Sequence, residues 1–504
     1  MLDKVAAIIN TNFGDIDGMY DPNLESYFID RNYWNKIVDN YRFFIIGRKG
    51  TGKSALYKWI KYTSEQTGNL CHNVLFNEFP FGKLLELKDD SFIKPNQYQT
   101  ICKNMILSEF ANIICSDAQH INNEYFSNLQ YYNNIINSNS LQDCFRRSVT
   151  STTQNSGELS FNILSLGKSN EKSEVFNFET MNLSNINTRL EYNIINYLKI
   201  YSFPKKFLIQ IDGIDENYTQ LSAQSNILDD YFQFVISLMK STYTINQKLH
   251  NECADIGKCL IYLRSDIFFS IHKLDAESAR WEQQTEYLNW AIQKGTSWEN
   301  NDLRKLINTR FLTSIPALQF QDAFSTLFDP QEIHLTVRNS RNNKHYRLVT
   351  NLFEYIVNRT FHRPRDIIQF FIKIQDSIKS TNILSWKEFR AGEQEYSLWF
   401  LSEITNEISP NIKDTEALFT MLRNVGSKPL SISRFKSIYS KYQQQIDYDV
   451  MELLHYLYDL AVIYNINDNG EVFSSIRNDR SRLNPDIKIC LHPGFWTGLY
   501  TSTF

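Results

Sequence analysis

At 504 residues the chain is too long for one compact core, so two or three domains are expected. Its 42% hydrophobic and 14% aromatic content is that of a globular protein, and a net charge of −4 excludes a global electrostatic pull towards nucleic acid. No apolar run approaches the ~20 residues of a membrane span, so no membrane partner is expected.

The seven cysteines include no Cys-x2-Cys pair, so they read as free thiols in a reducing cytoplasm rather than a disulfide framework or a zinc site. The first ten residues lack the basic start and long apolar core of a secretion signal. Residues 1–40 are rich in aromatics and acids, among them Tyr20, Tyr27, Phe28, Tyr33 and Trp34. They are expected to pack on the domain that follows.

That domain is announced by Phe43-Phe44-Ile45-Ile46 running into Gly47-Arg48-Lys49-Gly50-Thr51-Gly52-Lys53-Ser54 and then into Ala55-Leu56-Tyr57-Lys58-Trp59-Ile60. A buried strand, a Gly-x4-Gly-Lys-Ser loop and a helix start form the context of a phosphate-binding loop. Glycines let the backbone curl until its N–H groups face phosphate oxygens, and the helix N-terminus adds partial positive charge. The loop and first helical residues, Gly47 to Ala55, are therefore the expected nucleotide-binding set. Within it Lys53 reaches the β- and γ-phosphates and Ser54 ligates Mg²⁺. Tyr27, Phe28 or Trp34 either stacks on an adenine or packs a helix on the sheet.

Beyond the loop helix, Asn73–Phe79 reads as a strand and residues 97–115 as a helix with apolar Ile101, Met105, Ile106, Phe110 and Ile114. From 116 to 200 the pattern weakens into an Asn- and Ser-rich insertion, partly helical and partly loop. A second landmark is Phe207-Leu208-Ile209-Gln210-Ile211-Asp212-Gly213-Ile214-Asp215-Glu216. A strand ending in an acid beside a phosphate loop places Asp212 to accept from Mg²⁺-bound water or from Ser54, with Asp215 or Glu216 polarising the attacking water. The strand Lys258–Leu263 then ends in Arg264, which either senses a γ-phosphate or forms a salt bridge, with Asp266 orienting it. Residues 274–312 read as two helices, in which Arg280, Arg304 and Arg310 are either surface charges or fingers for a neighbouring subunit's nucleotide.

Residues 317–400 read as helical. Pro364 suits a first helical turn, which leaves Arg363 and Arg365 at a helix N-terminus. Two cations there are unfavourable unless an anion or an acid lies close. The tail reads as helices at Thr415–Val425, Ser431–Tyr442 and Asp449–Leu460, then a hairpin turning at Asn469-Gly470 and a last strand at Ile487–Leu491. This is the order of a winged helix. Arg434, Lys436, Lys441, Arg477, Arg480 and Arg482 give it a patch that either binds nucleic acid or is a solvated surface.

Taken together, the motifs at 44–54, Ile-Asp-Gly-Ile-Asp-Glu at 211–216, Leu-Arg-Ser-Asp-Ile-Phe at 263–268 and Arg-Pro-Arg-Asp at 363–366 give a family likeness. The chain resembles bacterial P-loop ATPases related to the AAA+ and STAND-like ATPases, often associated with antiphage defence islands. The resemblance implies an α/β fold: a three-layer P-loop ATPase domain over 41–312, a helical lid over 313–410 and a winged helix over 411–504. It implies ATP and Mg²⁺ as cofactors, Lys53 and Ser54 on phosphate and metal, Asp212 in the acidic metal site, and Arg264 and Arg365 as arginine sensors. One departure stands out: Gly213 follows Asp212 where AAA+ proteins place a catalytic Glu, so hydrolysis would use Asp215 or Glu216, or be slow. The implied role is an oligomeric ATP-driven switch acting with a separate effector protein in defence. The alternatives are a DNA-binding initiator or loader ATPase and a scaffold that holds ATP structurally.

Overall fold

The computed structural model describes residues 3–76, 96–137, 183–215, 218, 225–292, 298–318, 322–328, 332–338, 345–476 and 481–500. The chain divides into two compact units. One, the sheet unit, comprises Asp30–Arg48 and Leu56–Tyr287; the other, the helical unit, comprises Met1–Ile29, Lys49–Ala55 and Leu288–Phe504. The amino-terminal segment is thus shared: its short helices α1 (Lys4–Ile9) and α2 (Leu24–Tyr27) lie in the helical unit, and only residues from Asp30 onward join the sheet. The reason is local. Phe13 stacks on Phe371 at 5.7 Å, and the Gln375 amide donates to the carbonyls of Ile8, Ile9 and Thr11.

In the sheet unit, β1 (Phe44–Gly47), β2 (Leu70–Leu75), β3 (Phe207–Asp212), β4 (Gly257–Arg264) and β5 (Thr285–Tyr287) form one parallel sheet in the order β2-β3-β4-β1-β5. The central strands are apolar on both faces, as strands covered by helices on both sides must be; Phe44, Ile45, Ile46, Leu208, Ile209 and Leu260 are wholly buried. Helix α3 (Lys53–Gln66) follows the loop. Helices α4 (Gln99–Cys115), α5 (Glu124–Asn137), α6 (Leu183–Ile200) and α7 (Ser225–Cys253) pack on one another, and α8 (Ser265–Leu274) follows β4. Gly257 marks where three of them meet, since a Cβ there would lie within 3.2–3.3 Å of Leu198, Phe110 and Leu249. The described flanks of the expected insertion are therefore regular helices against α4; residues 138–182 lie outside the described residues.

Strand β5 corrects the expectation of two helices over 274–312. Residues Ala276–Gln284 are a 3-10 helix, and Thr285–Tyr287 pairs with β1. Its central Glu286 is buried but held by Lys36 at 2.8 Å and by Arg42, which compensates an acid inside a sheet. At the other end of the unit, the π-helical turn Trp34–Asp39 ends on two lysines. Lys258 donates to the carbonyls of Ile37, Val38 and Asn40, and Lys206 to Val38 and Asp39. They satisfy carbonyls that a helix end leaves open.

In the helical unit, α9 (Asp302–Ser314), α10 (Ala323–Leu327), α11 (Leu352–Val357), α12 (Pro364–Thr381) and α13 (Trp386–Ile408) share one apolar core with the tail. Gly392 lets α13 close on α12, because a Cβ there would come within 2.7 Å of the Ile374 backbone. An antiparallel hairpin, β6 (Glu332–Arg338) and β7 (His345–Asn351), interrupts a stretch expected to be helical. The period-two alternation of Ile333, Leu335 and Val337 was the available signal.

The tail forms α14 (Thr415–Val425), α15 (Ile432–Tyr439), α16 (Gln443–Ile446) and α17 (Val450–Asp459). Strands β8 (Ile463–Ile466), β9 (Val472–Phe473) and β10 (Lys488–Leu491) follow in the order β10-β8-β9, and Leu430 bridges to Ile489. The expected hairpin is present but short at β9, and β8 pairs over four residues with β10. Among the described residues no helix is long and apolar enough to cross a membrane.

Candidate functional site

The loop after β1 has the backbone its sequence requires. Gly50 and Gly52 sit at φ +82° and +93°, conformations that residues with a Cβ rarely adopt. A Cβ on Gly52 would meet no atom of the described residues within 4 Å. Lys53 and Ser54 open α3 directly behind it. Lys53 is buried at 8% exposure.

Residues Lys49–Ala55 belong to the helical unit, which holds them by named contacts. Arg363 donates to the Lys49 carbonyl at 2.8 Å, the Arg365 amide to the Gly50 carbonyl at 3.3 Å and the Trp290 indole to the Thr51 carbonyl at 2.9 Å. A Cβ on Gly50 would lie 3.1 Å from the Arg365 Cβ. Gly18 approaches the start of α3 so closely that a Cβ there would be 2.6 Å from that of Ala55.

The two arginines at the start of α12 have acids to answer them. Arg363 is buried and forked on Asp366, with contacts of 2.8–3.2 Å, while Asp366 also accepts from the Phe361 amide. Burial works against the Arg363 charge, but Asp366 and then Glu407 overcome it and raise its pKa. Arg365 reaches Glu403 at 3.6 Å, and its Nε is buried without a hydrogen-bond acceptor among the described residues. The same Glu403 lies 3.4 Å from Lys49, and Glu407 lies 3.8 Å from it.

In the sheet unit the expected polar residues gather at the carboxyl edge. Asp212 ends β3 level with Leu75 of β2, and Arg264 ends β4 level with Gly47 of β1. Asp212 is buried and accepts from the Gly213 amide, and Gly213 itself needs its positive φ of +80° to turn the chain. Arg264 is forked on Asp266 at 3.0 and 2.7 Å and lies 5.9 Å from the Tyr218 ring centroid. Asp215 is partly buried; Glu216 lies outside the described residues.

Beneath Asp212 sits a residue that the motifs did not single out. Gln210, wholly buried on β3, donates to the Tyr57 carbonyl and to Asn73 at 2.9 Å each, and accepts from the Tyr262 hydroxyl. It ties α3 to β2, β3 and β4. A glutamine inside an otherwise apolar strand was its only sequence signal.

Two of the three finger candidates are corrected to structural roles. Arg304 is wholly buried, bound to Asp322 and Ser325 and stacked 4.7 Å above Phe324. Arg310 donates to the Phe13 and Leu306 carbonyls and covers the Tyr27 ring at 4.4 Å; burial lowers its pKa to about 10. Arg280 is exposed. The adenine candidates are also engaged: Tyr27 is buried on Asp21, and Trp34 meets Trp59 edge-on at 6.3 Å. Of the basic residues in the tail, Arg434, Lys436, Lys441 and Arg482 are exposed, and Arg477 and Arg480 lie outside the described residues.

The fold and the loop together define an α/β protein with a parallel five-stranded sheet joined to a largely helical unit. Residues 301–405 match the family model described as the FunZ-associated C-terminal helical domain. That segment contains α9–α12 and most of α13, hence Arg363, Arg365 and Glu403. No curated protein and no solved structure matches the chain.

Proposed function

We propose that this chain is a Mg²⁺-dependent, ATP-binding switch of the P-loop ATPase class. The observation that supports it best is the loop itself: Gly-x4-Gly-Lys-Ser behind a buried parallel strand, with positive φ at Gly50 and Gly52 and a helix starting at Lys53. The strand order adds weight by fold analogy, because β4 separates the loop strand from the strand ending in Asp212, as in AAA+-type domains. In this reading Lys53 and the loop amides hold the phosphates, and Ser54 and Asp212 serve the metal. Arg264 and Arg365 sense the γ-phosphate. With Gly213 in place of an adjacent glutamate, Asp215 or Glu216 orients water, or turnover is slow.

The tail of the helical unit is read as a winged helix, with α14, α15 and α17 followed by β8 and β10. ATP-dependent self-association and a separate effector in antiphage defence complete the reading. A DNA-loading ATPase is the second reading, favoured by the exposed Arg434, Lys436, Lys441 and Arg482, although Asp447, Asp449 and Glu452 dilute that field. Titrating ATP with and without Mg²⁺, and measuring phosphate release with and without duplex DNA, tests both. Binding with DNA-independent turnover supports the switch, DNA-stimulated turnover the loader, and no binding at millimolar ATP overturns both.

A further inference from the structure

The loop shares its cations with an acidic pair on α13. Glu403 and Glu407 stand one turn apart on one face, near the carboxyl end of a helix whose last turn carries no basic residue. Like charges at that spacing repel, and carboxylates at a helix C-terminus oppose its dipole. The compensation comes from the phosphate loop. Lys49 lies 3.4 Å from Glu403 and 3.8 Å from Glu407, and Arg365 lies 3.6 Å from Glu403. These ion pairs are long, and their side chains are 18–33% exposed, so each is individually weak. A polyphosphate on the loop competes for the same two cations, with more charge and with forked geometry for Arg365. The buried Arg365 Nε, which has no acceptor among the described residues, could turn to such an anion.

A second set of contacts carries the end of α13 into the tail. The Tyr456 hydroxyl of α17 donates to the Glu407 carbonyl at 3.1 Å and accepts from the Asn411 side chain at 3.0 Å. Glu407 therefore belongs to both sets: its carboxylate lies 3.8 Å from Lys49 and its carbonyl accepts from Tyr456.

We propose that Glu403 and Glu407 form an anionic latch, holding Lys49 and Arg365 until a nucleoside triphosphate displaces them. Its release leaves the two carboxylates uncompensated, loosens the last turns of α13 and frees Tyr456, so that loop occupancy is read at α17. This rests on the nucleotide reading above and names how that site would regulate the tail.

The test compares wild type with Glu403→Gln/Glu407→Gln and with the charge-retaining Glu403→Asp/Glu407→Asp in the full chain. With the competitor removed, the glutamine variant should bind Mg·ATP about fivefold more tightly or better, and the aspartate variant should return towards wild type. ATP should speed amide exchange over 405–412 and 450–459 in wild type and change it little in the glutamine variant. Equal affinities in all three proteins with an unchanged exchange response would overturn the latch. A nucleotide-free control separates the two claims: melting of Lys49→Ala, Glu407→Gln and their combination should be non-additive. Additive shifts in Tm would refute the ion pair whatever ATP does. Non-additive shifts in a chain that binds no ATP would instead remove the trigger and the nucleotide reading, leaving the ion pairs in place.

Discussion

Arg363 donates to the backbone carbonyl of Lys49 at 2.8 Å, so the start of α12 grips the glycine-rich loop across 314 residues of sequence. The guanidinium can do this because Asp366, wholly buried, fixes its other nitrogens. An arginine that sequence places beside a positive helix end thus has an acid as its partner and a loop carbonyl as its target.

Breaking that buried pair should be costly. Asp366→Asn leaves Arg363 without its counter-charge, and an unpaired buried charge costs about 3–5 kcal/mol. Urea unfolding followed by circular dichroism should show the midpoint fall accordingly, with Arg363→Lys also destabilised because lysine has no fork. A midpoint within error of wild type would show that the pair is dispensable.

Arg280 and Arg304 should behave differently. Arg280→Ala should leave the melting temperature in place and reduce ATP-dependent self-association or turnover, as an exposed finger would. Arg304→Ala should lower the melting temperature markedly, because Arg304 is wholly buried on Asp322 and Ser325. Sedimentation with a non-hydrolysable ATP analogue, alongside thermal melts, checks both. A monomer in every condition would remove the finger in trans.

The contrast shows what could be read from the chain alone. The loop, the strand ending in Asp212 and the 415–425 helix were legible because glycine spacing, a continuous apolar run and 3.6-residue periodicity each carry a local cause. Strand β5 was not, since Thr285–Tyr287 is three residues long and becomes a strand by pairing with β1. Nor were the roles of Arg304 and Arg310. An arginine on a helix reads as solvated, and the Phe13 carbonyl that Arg310 binds is 297 residues away. Gly18 against Ala55 was hidden for the same reason.

Acid should destabilise the helical unit through His492. The ring is buried and caps Gly494, and burial, then the positive surroundings of His362, Arg359 and Arg363, push its pKa well below the ordinary histidine value. The folded state therefore keeps it neutral while the unfolded chain takes up a proton below about pH 6.5, so this stability is present above that pH and lost as pH falls. His492→Asn, which can still accept from the Gly494 amide, should flatten the dependence of stability on pH between 6.5 and 5. An unaltered slope would assign the acid sensitivity to other groups.

The acids after β3 should separate by role. Glu216→Gln and Asp215→Asn should slow phosphate release while ATP stays bound, because activating water and holding phosphate use different groups. Asp212→Asn should weaken Mg²⁺-dependent binding instead. Full turnover in both of the first two variants would place the base elsewhere and favour a chain that holds ATP without consuming it.

The most direct measurement is calorimetric titration of Mg·ATP into wild type and Lys53→Ala, with circular dichroism and a thermal melt of each to verify folding, since Lys53 is buried. The account predicts saturable binding to wild type and a loss of at least about tenfold in affinity in a folded Lys53→Ala chain, a charge-assisted contact being worth roughly 1.5–3 kcal/mol. Equal affinity in the two folded proteins, or no binding to wild type, would contradict it.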